Sequence, residues 1–141
     1  MKSFRLLFVL MLLGTFISLT AQNRSRRTEV RRNVPVDSIR LSDPFVLADT
    51  KTKTYYMTGT GGLLWKSKDL KFWDGPYNVV QTDPDSWMGP RPMIWAAELH
   101  QYKGKYYYAY TSNTRKDGKF SGLRVFIASS DRIEDGFKNP F

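Results

Sequence analysis

From residue 41 onward the chain is a succession of short apolar, aromatic and β-branched runs separated by polar, turn-forming breaks. Phe45–Ala48 and Tyr55–Thr58 flank the polar ADTKTK segment, the pattern of two antiparallel strands joined by a tight connection. Gly61-Gly62 marks a turn, and Leu63–Lys66 reads as a third strand. Lys68-Asp69-Leu70 turns the chain towards Phe72-Trp73, Asp74-Gly75-Pro76 reads as a further break, and Tyr77–Val80 precedes the polar loop Gln81–Pro92. A second cycle follows. Ile94–His100 starts it, Lys103-Gly104 turns, and Lys105–Thr111 is strongly β-prone. Asn113–Gly122 reads as a polar loop before the strand Leu123–Ala128, which sets Leu123, Val125 and Ile127 on one face and Arg124 and Phe126 on the other. Tyr106, Tyr108 and Tyr110 alternate along one strand face, where core packing is the first reading.

The two cycles resemble each other. Tyr55-Tyr56 aligns with Tyr107-Tyr108 at an offset of 52, Asp69 with Asp131 at 62, and Asp74-Gly75 with Asp135-Gly136 at 61. Repetition at this spacing, with three to four short strands per unit, predicts an all-β fold built from β-propeller blades. About four blades are the fewest that close a ring, and this chain encodes about two. The expectation is a partial propeller, truncated after Phe141, that leaves a strand edge and an apolar face uncovered.

The N-terminal segment follows different rules. Lys2 and Arg5 precede the apolar run LLFVLMLLGTFISL, which ends at Thr20-Ala21-Gln22, so residues 1–21 read as a secretory signal peptide. Gly14, Thr15 and Ser18 interrupt that run, which argues against a membrane anchor. The product is expected in the periplasm or outside the cell. With no cysteine, the chain has neither a disulfide nor a lipid-modified cysteine. The net charge of +9 is uneven, +6 falling in residues 1–40 and +3 in residues 41–141. Residues 22–35, which include NRSRRTEVRRN, read as a basic disordered linker. The folded part lacks the basic face that nucleic-acid binding requires.

Asp43 sits just before the first strand, and Pro44 biases its backbone towards an extended form. The plain reading is that Asp-Pro starts a turn. LSDPFVLAD, then KTYYMTGT, then IWAAELHQYKGKYYYAYTS suggest more: residues 36–141 resemble the first two blades of glycoside hydrolase family 43. The resemblance implies a five-bladed propeller that cleaves arabinose- or xylose-containing glycans with inversion. It implies that Asp43 is the general base, and it matches Trp95-Ala96-Ala97-Glu98 to the family's Trp-Ala-Pro-Glu, with Ala97 in place of the usual proline. An inverting enzyme sets an acid about 6.5–9.5 Å from its base. The family's acid Glu and pKa-tuning Asp belong to later blades and have no match here, so the 141-residue chain alone is expected to be inactive.

Glu98 is by resemblance a pocket-shaping, substrate-binding residue rather than the acid. Trp95 would stack on a sugar face or serve as a core tryptophan, and a sugar platform is the second reading of Tyr106, Tyr108 and Tyr110. Trp73 and Trp87 read as packing or loop-anchoring residues, and His100 as a strand residue without a catalytic partner. No cofactor or metal cluster is legible, although some family members hold a structural divalent ion. A carbohydrate is the one partner expected, with oligomeric state open. The alternative reading is a non-catalytic carbohydrate-binding propeller or an inactive remnant.

Overall fold

The structure, a computed structural model, describes residues 29–83, 88, 92–116 and 119–138, without the side chains of residues 114–116 and 119–121. The segment read as a signal peptide, Trp87 and most of the basic linker lie outside these residues.

The apolar runs form two sheets in series. In the first, β2 (Phe45–Asp49), β3 (Thr54–Thr58), β4 (Leu63–Ser67) and β5 (Phe72–Asn78) make an antiparallel meander, flanked on the outside by β1 (Arg31–Pro35). In the second, β7 (Ile94–Tyr102), β8 (Lys105–Lys116), β9 (Lys119–Ser130) and β10 (Phe137–Lys138) repeat the meander, and β6 (Val80–Gln81) runs parallel to β10. The internal repeat is therefore structural: Tyr55-Tyr56 and Tyr107-Tyr108 occupy the second strand of each meander.

Four local expectations are corrected. Arg31–Pro35, placed in the disordered linker, is a strand that pairs antiparallel with β5. Its basic residues find partners there: Arg32 Nη1 bonds Asp74 Oδ2 at 2.7 Å, and the Arg31 guanidinium lies 5.3 Å from the centre of the Trp65 ring. Asp74-Gly75-Pro76 does not break the chain; it lies within β5, and Asp74 also accepts the Asn33 N–H. Asn113–Gly122 is not a loop, because β8 and β9 continue to the pair Lys116↔Lys119. Cross-strand pairing overrides the weak strand propensity of its polar residues. Finally, Asp43 has φ 53 rather than an extended backbone, for reasons given below.

The main core lies between the sheets. Tyr56 and Leu64 from the first meet Leu99, Tyr106, Tyr108, Tyr110 and Phe126 from the second, closed by Ile133 and Phe137. The alternating tyrosines are thus packing residues, each at most 3% exposed, and the sugar-platform reading fails. Burial pushes the Tyr110 hydroxyl up to about 12. A second cluster, Val34, Met57, Trp65 and Trp73, covers the other face of the first sheet together with Ile39 and Leu41. Trp73 is a packing residue, as its sequence context implies, and its indole N–H donates to Leu70 O at 3.2 Å. Among the described residues no helix is long and apolar enough to cross a membrane.

Candidate active site

The two innermost strands, β2 and β7, lie side by side, and the site is built where they begin. The chain enters β2 through Leu41-Ser42-Asp43-Pro44 and leaves β3 through Gly59-Thr60. The Thr60 N–H donates to Ser42 O at 2.9 Å. A Cβ on Gly59 would stand 2.6 Å from Ser42 O and 3.0 Å from Asp43 O, so only glycine admits this close approach. Held in this way, Asp43 adopts the left-handed backbone that Asp tolerates better than most residues. Tertiary contacts have overridden the bias imposed by Pro44.

Thr60 joins the two sheets. Its hydroxyl donates to Asp43 Oδ2 at 2.8 Å and accepts the Ala96 N–H at 3.1 Å. The single hydroxyl hydrogen is therefore directed at the carboxylate. Ala96, like Asp43, is a non-glycine residue with positive φ, at 45°. It belongs to a bulge: Trp95 pairs with Thr111 and Glu98 with Ala109, so two residues of β7 face one of β8. A bulge is also where a strand accepts proline, which accounts for the exchangeability of Ala97 with the family's proline. Ala97 itself is buried, and its carbonyl accepts the Thr58 hydroxyl at 2.7 Å. Backbone strain of this kind costs on the order of 1–3 kcal/mol per residue and concentrates at functional sites. Here two strained residues meet at one hydroxyl.

The candidate residues group as follows. Asp43 is exposed at the mouth of β2, with one carboxylate oxygen on Thr60. Trp95 is 44% exposed, which removes the core-tryptophan reading and leaves its ring open to a ligand. Glu98 is half-exposed and hydrogen-bonded to His100, Nε2 to Oε2 at 2.9 Å. His100 in turn packs its ring on Phe45, centroids 4.9 Å apart, so it is not without a partner. Asp43, just before β2, and Trp95, at the start of β7, thus share a rim joined through Thr60 and the Ala96 N–H, and Glu98, in the middle of β7, reaches β2 through His100 and Phe45. Sequence reasoning missed Thr60 and the role of Gly59; the only one-dimensional signal was their place in the Thr-Gly-Thr-Gly-Gly turn.

Among the described residues no three His, Cys, Asp or Glu side chains are grouped to hold a metal ion. The rim offers one carboxylate poised by a hydroxyl, one exposed indole and one carboxylate held by a histidine. That set is suited to binding a sugar ring and accepting a proton from water.

The family model described as glycosyl hydrolases family 43 matches residues 32–141. An endo-arabinase structure from Bacteroides thetaiotaomicron is 32% identical with a TM-score of 0.59, covering 78% of this chain and 37% of its own. An endo-1,5-alpha-L-arabinanase from Thermotoga petrophila is 26% identical with a TM-score of 0.50, covering 77% of this chain and 25% of its own. A thermostable family-43 glycoside hydrolase shares the fold at 24% identity and a TM-score of 0.52, over 79% of this chain and 33% of its own. No curated protein sequence matches significantly. The chain spans little more than a third of the endo-arabinase, and its two sheets are blades of the same kind of propeller. With the match beginning inside β1 and taking in Asp43, Thr60 and the Trp95–Glu98 bulge, the chain belongs to glycosyl hydrolase family 43.

Proposed function

We infer that this chain supplies the general-base half of an exported enzyme that hydrolyses arabinose-containing polysaccharides or their oligomers with inversion. The carrying observation is the Asp43 carboxylate, exposed at the mouth of β2 and steered by the Thr60 hydroxyl, on the same rim as the exposed Trp95. In this reading Asp43 takes a proton from a water molecule as that water attacks the anomeric carbon. Trp95 offers its ring to an apolar sugar face, and Glu98, positioned by His100, hydrogen-bonds sugar hydroxyls. The acid that protonates the leaving oxygen comes from carboxylates outside these two sheets. The endo-arabinase likeness supports arabinan as the substrate class, and the apolar run at residues 6–19 after Lys2 and Arg5 supports export.

The test is made on a protein carrying these residues together with the rest of a family-43 propeller. Asp43→Asn is expected to lower turnover of debranched arabinan by about 100- to 10,000-fold while leaving arabinotriose binding in place. Proton NMR of the first released sugar is expected to show the inverted anomer. Retained turnover in Asp43→Asn would overturn the assignment. Sugar binding with no turnover in the unaltered protein would instead favour a non-catalytic carbohydrate-binding propeller.

A further inference from the structure

Away from the Asp43 rim, a groove of about 560 Å³ opens between the outer strands of the first sheet and the 3-10 turn Ile133–Asp135 of the second. None of Asp43, Thr60, Trp95 or Glu98 lines it. A smaller, more apolar hollow of about 270 Å³ adjoins it, sharing Tyr56, Lys66 and Glu134 and adding Tyr77 and Ile133.

Some of its polar lining is already committed. The Lys68 ammonium donates to Thr52 O at 3.0 Å, Lys53 O at 3.1 Å and Thr54 Oγ1 at 2.6 Å, which uses its three hydrogens. Asp74 is taken by Arg32 and the Asn33 N–H, and Asp69 Oδ1 by the N–H groups of Lys71 and Phe72. Other groups remain available. Among the described residues the Lys66 ammonium makes no hydrogen bond or ion pair and lies 5.0 Å from the Tyr77 ring centre. Among the described residues Glu134 is held only by a 3.4 Å bond from the Tyr56 hydroxyl to Oε1. Asn33 and Phe72, the latter 44% exposed, also line the groove.

This set selects a ligand class. Ammonium, carboxylate and amide together offer donors and acceptors without a dominant charge, which disfavours a strongly anionic or cationic ligand. The exposed Phe72 ring, also in the lining, suits an apolar ring face. A neutral polyhydroxylated ring satisfies both halves, and the volume falls within the range of small-molecule sites. We propose that this groove is a second carbohydrate-binding site, which holds a sugar unit of the polysaccharide at a distance from the Asp43 rim. The site follows from its own lining and does not require Asp43 to be a base.

The test uses the full 141-residue chain, titrated with 1,5-α-L-arabinotriose and with xylotriose while following backbone amide shifts. Perturbations are expected at Asn33, Lys66, Phe72 and Glu134. Lys66→Met and Phe72→Ala are each expected to weaken that binding by about tenfold, whereas Asp43→Ala and Trp95→Ala leave it unchanged. A preserved amide spectrum shows that each variant is folded, and Glu134→Gln supplies a milder variant if Phe72→Ala is not. Binding of neither sugar, or binding lost only in the Asp43 and Trp95 variants, overturns the proposal. In the latter case the active-site reading still stands.

Discussion

Thr60 uses one hydroxyl to connect a carboxylate in the first sheet with a backbone amide in the second. Thr60→Val keeps the shape and removes both bonds, leaving Asp43 unsteered. It is expected to cost about 0.5–1.5 kcal/mol of stability, read from the urea midpoint, and to shift the amide signals of Asp43 and Ala96. Thr60→Ser is expected to restore both. A valine variant with unchanged signals at those two residues would show that the hydroxyl does not hold them. Tyr108 is the opposite case. Its hydroxyl is buried without a hydrogen-bond partner among the described residues. Burial, with Tyr110 adding to it, pushes its ionisation well above the usual phenol range. Tyr108→Phe relieves an unmet desolvation cost and is expected to raise stability, by up to about 1 kcal/mol. A lower melting temperature would mean that the hydroxyl has found a partner. Neither effect was legible beforehand, because a sequence shows which residue carries a hydroxyl but not what faces it.

The β2–β3 hairpin is held at its turn end by Asp49, only 2% exposed. Burial on its own would raise the ionisation of this carboxyl. Bonds from the Thr52 hydroxyl at 2.7 Å, the Tyr106 hydroxyl at 2.7 Å and the Lys51 N–H at 2.9 Å outweigh it and hold the carboxyl below its usual range. A depressed folded-state value means stability that is present above the unfolded carboxylate range, near about pH 4, and is lost as pH falls through the folded value. Asp49→Asn is therefore expected to lower the urea midpoint at pH 7 and, by a smaller deficit, at about pH 3. An equal deficit at both would point to packing rather than charge. At the other end of the hairpin, Gly59→Ala forces its Cβ against the Ser42 and Asp43 carbonyls. It is expected to displace Asp43, visible as altered Asp43 and Thr60 amide signals, and to impair turnover in a complete enzyme. The hairpin itself was readable from alternating apolar runs around ADTKTK. The continuity of β5 through Asp74-Gly75-Pro76 was not, since turn-forming residues in mid-strand are explained only by their neighbours: Arg32 and Asn33 bonded to Asp74, and Trp65 packed against Gly75.

At the scale of the whole molecule, the second sheet has one face in the core and one exposed. Tyr108, Tyr110, Phe126 and Ala128 point inward, while Leu123 and Val125 are 61% and 68% exposed. Exposed apolar strands next to open ladder edges favour association. The 141-residue chain is expected to self-associate at micromolar concentration in sedimentation velocity, and Leu123→Lys with Val125→Lys to reduce this. Equal association of the double variant would place the contact elsewhere.

The all-β class, the two-cycle repeat and the Asp43 and Trp95–Glu98 motifs that align with family 43 could be read from the residues alone. Strand alternation, turn residues and motif spacing are written locally along the chain. Folding in three dimensions made the basic residues of β1 complete the first sheet, put the tyrosines of β8 in the core and gave Asp43 a left-handed backbone. It alone brought Thr60 between Asp43 and Ala96 and left a polar groove between the sheets. These features depend on which groups meet across tens of residues, where packing and hydrogen bonding outweigh local preference.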